Sequence, residues 1–239
     1  MKQQYQKRDV KLGSAIVFTL SMFGLALSAS SASASDLFDH SYNYGGSAVS
    51  GDVVYLAGTA GTSKVKIDAA DISSFDPGAT VSADDKDTSL GLSGGYQFNS
   101  NVAAELGYVD LGSFSADAKG TESGLSLTET AKFEAKGFQA SVVGSMPVSK
   151  EFSVLGRLGM FRWDLKSSND GVEAGVPFSG SEKATGIDLT YGLGVQYNFS
   201  KVVGARFEWQ KFKDVGDQDK TGQSDVDLIS LGLVYRFPN

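Results

Sequence analysis

The feature that most constrains this chain is an alternation of apolar residues with small or polar residues, repeated in several segments. The clearest case is 187–199, where one face is apolar or aromatic throughout and the other is small or polar. Segments 89–98 and 229–237 repeat the pattern. Because successive side chains of a β-strand point to opposite faces, this alternation predicts strands with one apolar face. The 29 glycines and only 4 prolines also favour strands and tight turns.

Such strands can form a soluble β-sandwich or a transmembrane barrel, and the second face distinguishes the two. That face is rich in Gly and Ser and has few of the Lys and Glu residues expected in contact with water. Aromatic pairs recur at strand ends, as an interfacial girdle requires: Tyr96/Phe98, Tyr197/Phe199 and Tyr235/Phe237. No segment after residue 34 has about 18 consecutive apolar residues, so only a closed barrel could span a membrane.

The spacing of the alternating segments predicts eight strands, near 53–66, 88–98, 102–112, 132–146, 152–165, 184–199, 202–213 and 226–237. Their connections alternate in length. Long polar segments near 67–87, 113–131, 166–183 and 214–225 are predicted to be loops, and short turns join the other ends. Long outer loops and short periplasmic turns on opposite rims are typical of an outer-membrane barrel. The predicted fold is therefore all-β, an eight-stranded antiparallel transmembrane β-barrel.

The N-terminal segment has the features of a signal peptide. A basic stretch precedes an apolar run over 12–27, and Ala32-Ser33-Ala34 matches a cleavage site. We expect a signal peptide at 1–34, a periplasmic segment at 35–52 and the barrel domain at 53–237. Cleavage removes a net charge of +3 from a chain of −7, which leaves −10. So acidic a protein is not expected to bind nucleic acid.

Several segments together resemble the outer-membrane protein A-like transmembrane β-barrel family. They are residues 84–99, 105–112 (ELGYVDLG), 156–164 (GRLGMFRWD), 205–209 (ARFEW) and 229–237 (ISLGLVYRF). The resemblance covers roughly 53–237 and implies location in the cell outer membrane. Many family members carry a peptidoglycan-binding domain after the barrel. Because this sequence stops at the last strand, we expect a stand-alone barrel that does not anchor to the cell wall by that route.

Parity along the strands directs four charges into the lumen: Glu105, Arg157, Arg206 and Glu208. Buried charges must be paired, and two acids with two bases form a neutral set. The resemblance implies the same, since Glu105, Arg157 and Arg206 match positions of the family's lumen ion-pair cluster. Gln196 and Val143 depart from it, where the family's best-known member has an acid and a base. The cluster is interpreted as a static plug or, alternatively, as a gate for a narrow ion or small-solute pore.

Enzymatic function is not indicated. The chain has no Cys, and its single histidine, His40, precedes the first predicted strand, so no His-based or Cys-based nucleophile is apparent. Acidic loops could hold Ca²⁺ or Mg²⁺, but their spacing matches no EF-hand loop, and no metal or other cofactor is predicted. We expect a non-catalytic role in membrane integrity or surface interaction. A pore is the first alternative, and a lipid-modifying enzyme is the second.

The expected partners follow from this location. The resemblance implies that Tyr235 and Phe237 belong to a C-terminal signal read by the barrel-assembly machinery. Outer-membrane lipids and lipopolysaccharide would surround the barrel, and Arg162, Lys211 and Lys213 near the outer rim are placed to meet lipopolysaccharide phosphates. The protein is expected to be a monomer.

Overall fold

The computed structural model describes residues 53–66, 80–122, 125–218 and 220–237. These residues are almost entirely β-strand, and among them no helix is long and apolar enough to cross a membrane. The expected signal peptide and the segment 35–52 lie outside the described residues. The strands are β1 Val53–Val65, β2 Thr80–Asp84, β3 Lys86–Gln97, β4 Val102–Glu122, β5 Leu125–Pro147, β6 Phe152–Glu173, β7 Val176–Asn198, β8 Val203–Asp217 and β9 Gly222–Arg236.

Eight of these strands close into a ring, which confirms the predicted fold. Each pairs antiparallel with its neighbours, and β1 closes the ring by pairing with β9 from Tyr55↔Arg236 to Val65↔Val226. The short β2 is not a member of the ring, because it pairs with the distal part of β4. Closure leaves no exposed edge within the ring. A sheet that spans a lipid bilayer requires this, because unpaired backbone N–H and C=O groups have no water to bind there.

The outer surface carries a continuous apolar belt. Its residues include Leu92 and Leu193, each 64% exposed, together with Leu56, Leu106, Val142, Leu158, Phe207 and Leu231. Alternate residues on the same strands point inward and are buried. The outward parity expected for 187–199 is therefore confirmed: Ile187, Leu189, Leu193 and Tyr197 are all exposed, and Thr190 and Gln196 are buried.

The two ends of the barrel differ in construction. At one end, called the turn end, short turns follow β3, β5 and β7. Here the outward pairs Tyr96/Phe98, Tyr197/Phe199 and Tyr235/Phe237 each form an edge-to-face contact, with ring centroids 5.1–5.3 Å apart. The recurrence of this pair on three strands produces an aromatic girdle at the turn end, as an interfacial belt requires.

At the other end, called the hairpin end, the predicted loops 113–131 and 166–183 are wrong. These residues extend the strands instead, so that β4 to β7 are 21–23 residues long, and most of 214–225 is likewise strand. About 9–11 residues suffice to cross a bilayer, so these strands continue well beyond the belt. The extension of β6 over 166–173 carries small and polar residues on both faces, so hydrophobic alternation could not reveal it, whereas the extension of β4 buries Phe114, Ala116 and Ala118 on its inner face. Continuous antiparallel pairing from Leu127↔Glu173 to Pro147↔Ser153 holds β5 against β6.

Candidate functional site

The interior of the ring is filled by side chains stacked in layers. The order can be followed along β6 from the turn end, where Leu155 belongs to a small apolar cluster, Arg157 to a charged layer, and Phe161 to a large apolar cluster. The same order holds on β4, through Ala103, Glu105 and Leu111. The charged layer therefore lies between two apolar layers.

The structure brings the four predicted lumen charges together in the charged layer, here called the lumen quartet: Glu105, Arg157, Arg206 and Glu208. Arg157 Nη2 lies 2.7 Å from Glu105 Oε2 and 3.1 Å from Glu208 Oε1. Arg206 Nη1 lies 2.6 Å from Glu105 Oε1 and 3.9 Å from Glu208 Oε2. Each base thus touches both acids, and all four residues are buried. Such sharing compensates charges whose isolated burial would be very costly.

Neighbouring polar groups form further hydrogen bonds with the quartet. Tyr55 donates its hydroxyl to Glu105 Oε1 at 2.6 Å, and Arg157 Nη1 donates to Ser141 Oγ at 2.8 Å. The Arg206 guanidinium also lies 5.8 Å from the centroid of the Tyr55 ring, which is a cation–π distance. One atom, Glu105 Oε2, accepts no hydrogen bond of good geometry, and its contact with Arg157 is purely an ion pair.

The two departures from the family pattern are accommodated locally. Gln196 Oε1 accepts a hydrogen bond from Arg206 Nε at 3.1 Å, so a neutral amide oxygen takes the place of the acid in the family pattern. Val143 lies directly across from Arg157 in the β5–β6 register and packs in the small apolar cluster. Replacing one acid and one base in this way keeps the charge of the lumen quartet balanced.

Tyr55 is the functional residue that the sequence reasoning missed. Both faces of β1 are apolar where this strand begins, so alternation did not show which face Tyr55 occupies. A further signal lies on the neighbouring strand, because Gly95 pairs with Tyr55 and a Cβ at that position would overlap the Tyr55 ring. Glycine at 95 thus lets the ring lie against the barrel wall beneath the quartet.

Polar and then apolar layers follow above the quartet. Gln139 Nε2 donates to Gln210 Oε1 at 3.0 Å and approaches Thr190 Oγ1 at 3.4 Å. Above them, Phe161 and Phe212 meet edge to face with centroids 4.8 Å apart, and they are 1% and 0% exposed. This large apolar cluster, here called the apolar plug, also contains Leu111, Phe114, Trp163, Leu165, Val215, Val226 and Leu228.

The two tryptophans lie on opposite faces of the barrel wall. Trp163 is buried in the apolar plug, where its Nε1 donates to Asp188 Oδ2 at 2.7 Å. Trp209 points outward against Tyr191, and its Nε1 donates to Asp227 Oδ1 at 3.1 Å. Tyr235 and Phe237 lie on the outer surface at the turn end, and their role as an assembly signal remains a prediction. No group of three or more acidic or His side chains suited to a metal ion occurs among the described residues.

Comparison with known proteins finds one family of relatives, both by family model and by sequence identity. A family model described as the OmpA-like transmembrane domain matches residues 50–239. Outer membrane protein A of Klebsiella pneumoniae is 30% identical over 148 residues, which cover 62% of this chain and 40% of that protein. Its counterpart in Yersinia pseudotuberculosis is 33% identical over 150 residues, covering 60% and 38%. The chain therefore spans about two fifths of the length of these relatives.

Solved structures of similar fold are more distant in sequence. Neisserial surface protein A is 13% identical, with a TM-score of 0.47 that covers 77% of this chain and 97% of that one. Outer membrane protein OprG from Pseudomonas aeruginosa is 17% identical, with a TM-score of 0.46 and coverage of 81% and 99%. The family match over 50–239 is the finding that identifies the chain. It belongs to the OmpA-like transmembrane domain family and is a β-barrel protein of the cell outer membrane.

Proposed function

We propose that this barrel is a closed, non-catalytic component of the outer membrane that contributes to membrane integrity and presents its hairpins at the cell surface. The observation that carries this proposal is the filled lumen. The lumen quartet and the apolar plug are stacked along the same strands, so a solute would have to displace both.

The chemistry of the two layers makes each a separate barrier to ions. In the quartet, every charge already faces an opposite charge within 4 Å, so no free charge attracts a permeating ion. In the plug, the buried Phe161 and Phe212 offer no polar group to replace the hydration shell of an ion. An eight-stranded barrel has room for little more than its own side chains.

The chain's own residues also support a non-catalytic role. Hydrolytic enzymes activate a nucleophile with an adjacent base, most often histidine. The chain has no cysteine, and its single histidine, His40, lies outside the described residues. The polar side chains of the lumen, such as Gln139 with Gln210 and Arg157 with Glu208, are hydrogen-bonded to one another and are buried below the apolar plug.

Single-channel conductance of the refolded protein in a planar bilayer tests the proposal. We expect no discrete openings for the wild type, for Arg206→Ala, or for the double variant Phe161→Ala/Phe212→Ala, because each variant retains one of the two barriers. A shift between boiled and unboiled samples on a gel verifies folding in the same preparation. Discrete wild-type openings that Arg206→Ala alters would instead support a narrow pore gated by the quartet.

A further inference from the structure

Just beyond the apolar belt at the hairpin end, outward-facing charges surround the barrel, and their pairing differs between its two sides. On β8 and β9, Lys211 Nζ lies 3.1 Å from Asp227 and Lys213 Nζ lies 2.9 Å from Asp225. These two lysine side chains are only 23% and 26% exposed. Of the three bases that the sequence placed near lipopolysaccharide phosphates, Lys211 and Lys213 are therefore already neutralised within the protein.

The side formed by β5, β6 and β7 is different. It carries four exposed, outward-facing bases, here called the basic strip: Lys136, Arg162, Lys166 and Lys183. Within the described parts of the chain, none of these four bases forms an ion pair. The nearby Glu134 is engaged instead by Lys132 at 3.3 Å. Asp110 and Asp164 lie directly across from Lys136 on its two neighbouring strands, so the excess of positive charge in the strip resides at Arg162, Lys166 and Lys183, on a chain whose formal net charge is −7.

Two features of register indicate that an anion belongs on this strip. Lys166 lies directly across from Lys183 in the β6–β7 pairing. Like charges that face each other across strands destabilise a sheet, and a bound anion would reverse that effect. In addition, Arg162 lies directly across from Phe138, which is 57% exposed and belongs to the belt. The strip therefore begins where the apolar belt ends.

We propose that the basic strip binds the phosphate groups of a glycolipid in the outer leaflet. Long hairpins face the outside in barrels of this class, which places the strip at the depth of the outer-leaflet headgroups. Arginine pairs with phosphate in a bidentate geometry, and lysine supplies a compact charge. The belt residues Phe138 and Met160, next to Lys136 and Arg162, would contact the acyl chains of the same lipid. This site goes beyond the closed-barrel function and does not depend on whether the lumen conducts.

The test uses the folded full-length barrel in neutral detergent micelles and compares two variants with matched charge changes. Arg162→Gln/Lys183→Gln removes two strip bases that face no acid in the strand register, whereas Lys211→Gln/Lys213→Gln removes two bases that are already paired. Each protein is titrated with bis-phosphorylated lipid A, with dephosphorylated lipid A, with inorganic phosphate and with a sulfated polysaccharide. The thermal unfolding midpoint reports binding, because a ligand that binds only the folded state raises it.

We expect bis-phosphorylated lipid A to raise the midpoint of the wild type and of the Lys211→Gln/Lys213→Gln control. The apparent affinity of the strip variant should fall about fivefold for each charge removed. Equal losses in both variants, or equal effects of dephosphorylated lipid A, would overturn the proposal. A shift caused by inorganic phosphate alone would assign a free-anion site instead. A shift caused by a sulfated polysaccharide but not by lipid A would assign a surface-glycan site. Either result also overturns the lipid proposal.

Discussion

At the scale of single residues, the lumen depends on side chains that each serve several partners. Glu105 illustrates this, since it pairs with Arg157 and Arg206 and accepts a hydrogen bond from Tyr55. Removing one partner leaves the others with an uncompensated buried charge. The expected costs are therefore larger than those of exposed ion pairs, which contribute at most about 1 kcal/mol.

Tyr55→Phe isolates one of these contacts. It removes the hydroxyl that donates to Glu105 at 2.6 Å and leaves the ring in place. We expect a loss of about 1.5–3 kcal/mol, the range for hydrogen bonds to charged groups, measured by reversible denaturant unfolding in lipid vesicles. Tyr235→Phe, at an outward-facing tyrosine of the turn end, is the matched control and should cost about 0.5 kcal/mol or less. Equal costs at both positions would contradict the assigned role of Tyr55.

Arg157→Met tests the sharing of charge within the quartet. It leaves Glu208 and Glu105 with Arg206 as their only basic partner, and we expect a destabilisation of about 3–5 kcal/mol. Adding Glu208→Gln restores neutrality, so the double variant should be more stable than Arg157→Met alone. Unfolding free energies of the full double-mutant cycle provide the measurement. Simple additivity of the two single changes would show that the pair is not coupled.

At the scale of elements, each long strand has a lipid-facing part and a part beyond the belt. β7 shows this division, because Leu193 lies at the centre of its apolar stretch whereas Ser181 lies in its polar extension. Both side chains point outward. Their environments differ only in position along one strand, which allows a matched comparison.

Leu193→Arg should cost about 2–4 kcal/mol, because a charge at mid-membrane on the lipid face is destabilising. Ser181→Arg, on the same strand and the same face, should cost about 0–1 kcal/mol. Unfolding of both variants in the same vesicles supplies the comparison. Similar costs would place Leu193 outside the lipid.

At the hairpin end, β4 has a bulge between Asp110 and Ser113 in its pairing with β5, and Asp87 links this bulge to β3. The backbone N–H of Ser113 donates to Asp87 Oδ2 at 2.6 Å, and this bond, with a second from the Thr88 N–H, lowers the pKa of Asp87 below its ordinary 3.8. Gly112, with φ of 84°, has no room for a Cβ beside the Asp87 side chain. The bulge therefore combines a carboxylate acceptor with a left-handed glycine.

Asp87→Asn should weaken this link in a pH-dependent way. Because the folded pKa lies below the unfolded one, the carboxylate stabilises the fold above about pH 3.8, and its contribution is lost as pH falls through the lowered pKa. The variant should thus be less stable than the wild type at neutral pH and indistinguishable from it at strong acid. Denaturant unfolding across this range measures the difference. A difference that persists in acid would assign it to shape rather than to charge.

Sequence reasoning succeeded for those elements in which the two faces differ in chemistry. The alternation of 187–199 identified the outward and inward residues of β7 because one face meets lipid and the other is crowded. The extension of β6 over 166–173 was missed because it carries small and polar residues on both faces, which give no periodic signal. The extension of β4 over 113–122 does alternate, with Phe114, Ala116 and Ala118 buried, but its inner face is mostly alanine, which is a weak hydrophobic signal and is depleted in strands. Tyr55 was missed for the opposite reason, since both faces of β1 are apolar where the strand begins.

At the scale of the whole molecule, the ring carries a continuous apolar surface on its outside, where a soluble β-protein would present polar residues to water. Large apolar side chains lie outside on all eight ring strands, and the buried ion pairs of the lumen quartet lie inside. A water-soluble sandwich would bury the same apolar residues between two sheets. The two folds therefore differ in what surrounds the apolar face: lipid in the barrel, and other side chains in the sandwich. This difference can be measured directly.

The most direct measurement is a spin-label accessibility scan of the folded protein in lipid bilayers. The chain has no cysteine, so single cysteine substitutions label one site each. The belt positions, one per ring strand, are Leu56, Leu92, Leu106, Val142, Leu158, Leu193, Phe207 and Leu231, and the matched outward positions beyond the belt are Ser168 and Ser181. Labels at all eight belt positions should collide with dissolved oxygen and be protected from a water-soluble nickel reagent, while Ser168 and Ser181 should show the reverse. Belt labels shielded from both reagents, as in a sandwich core, or open to nickel would contradict the barrel.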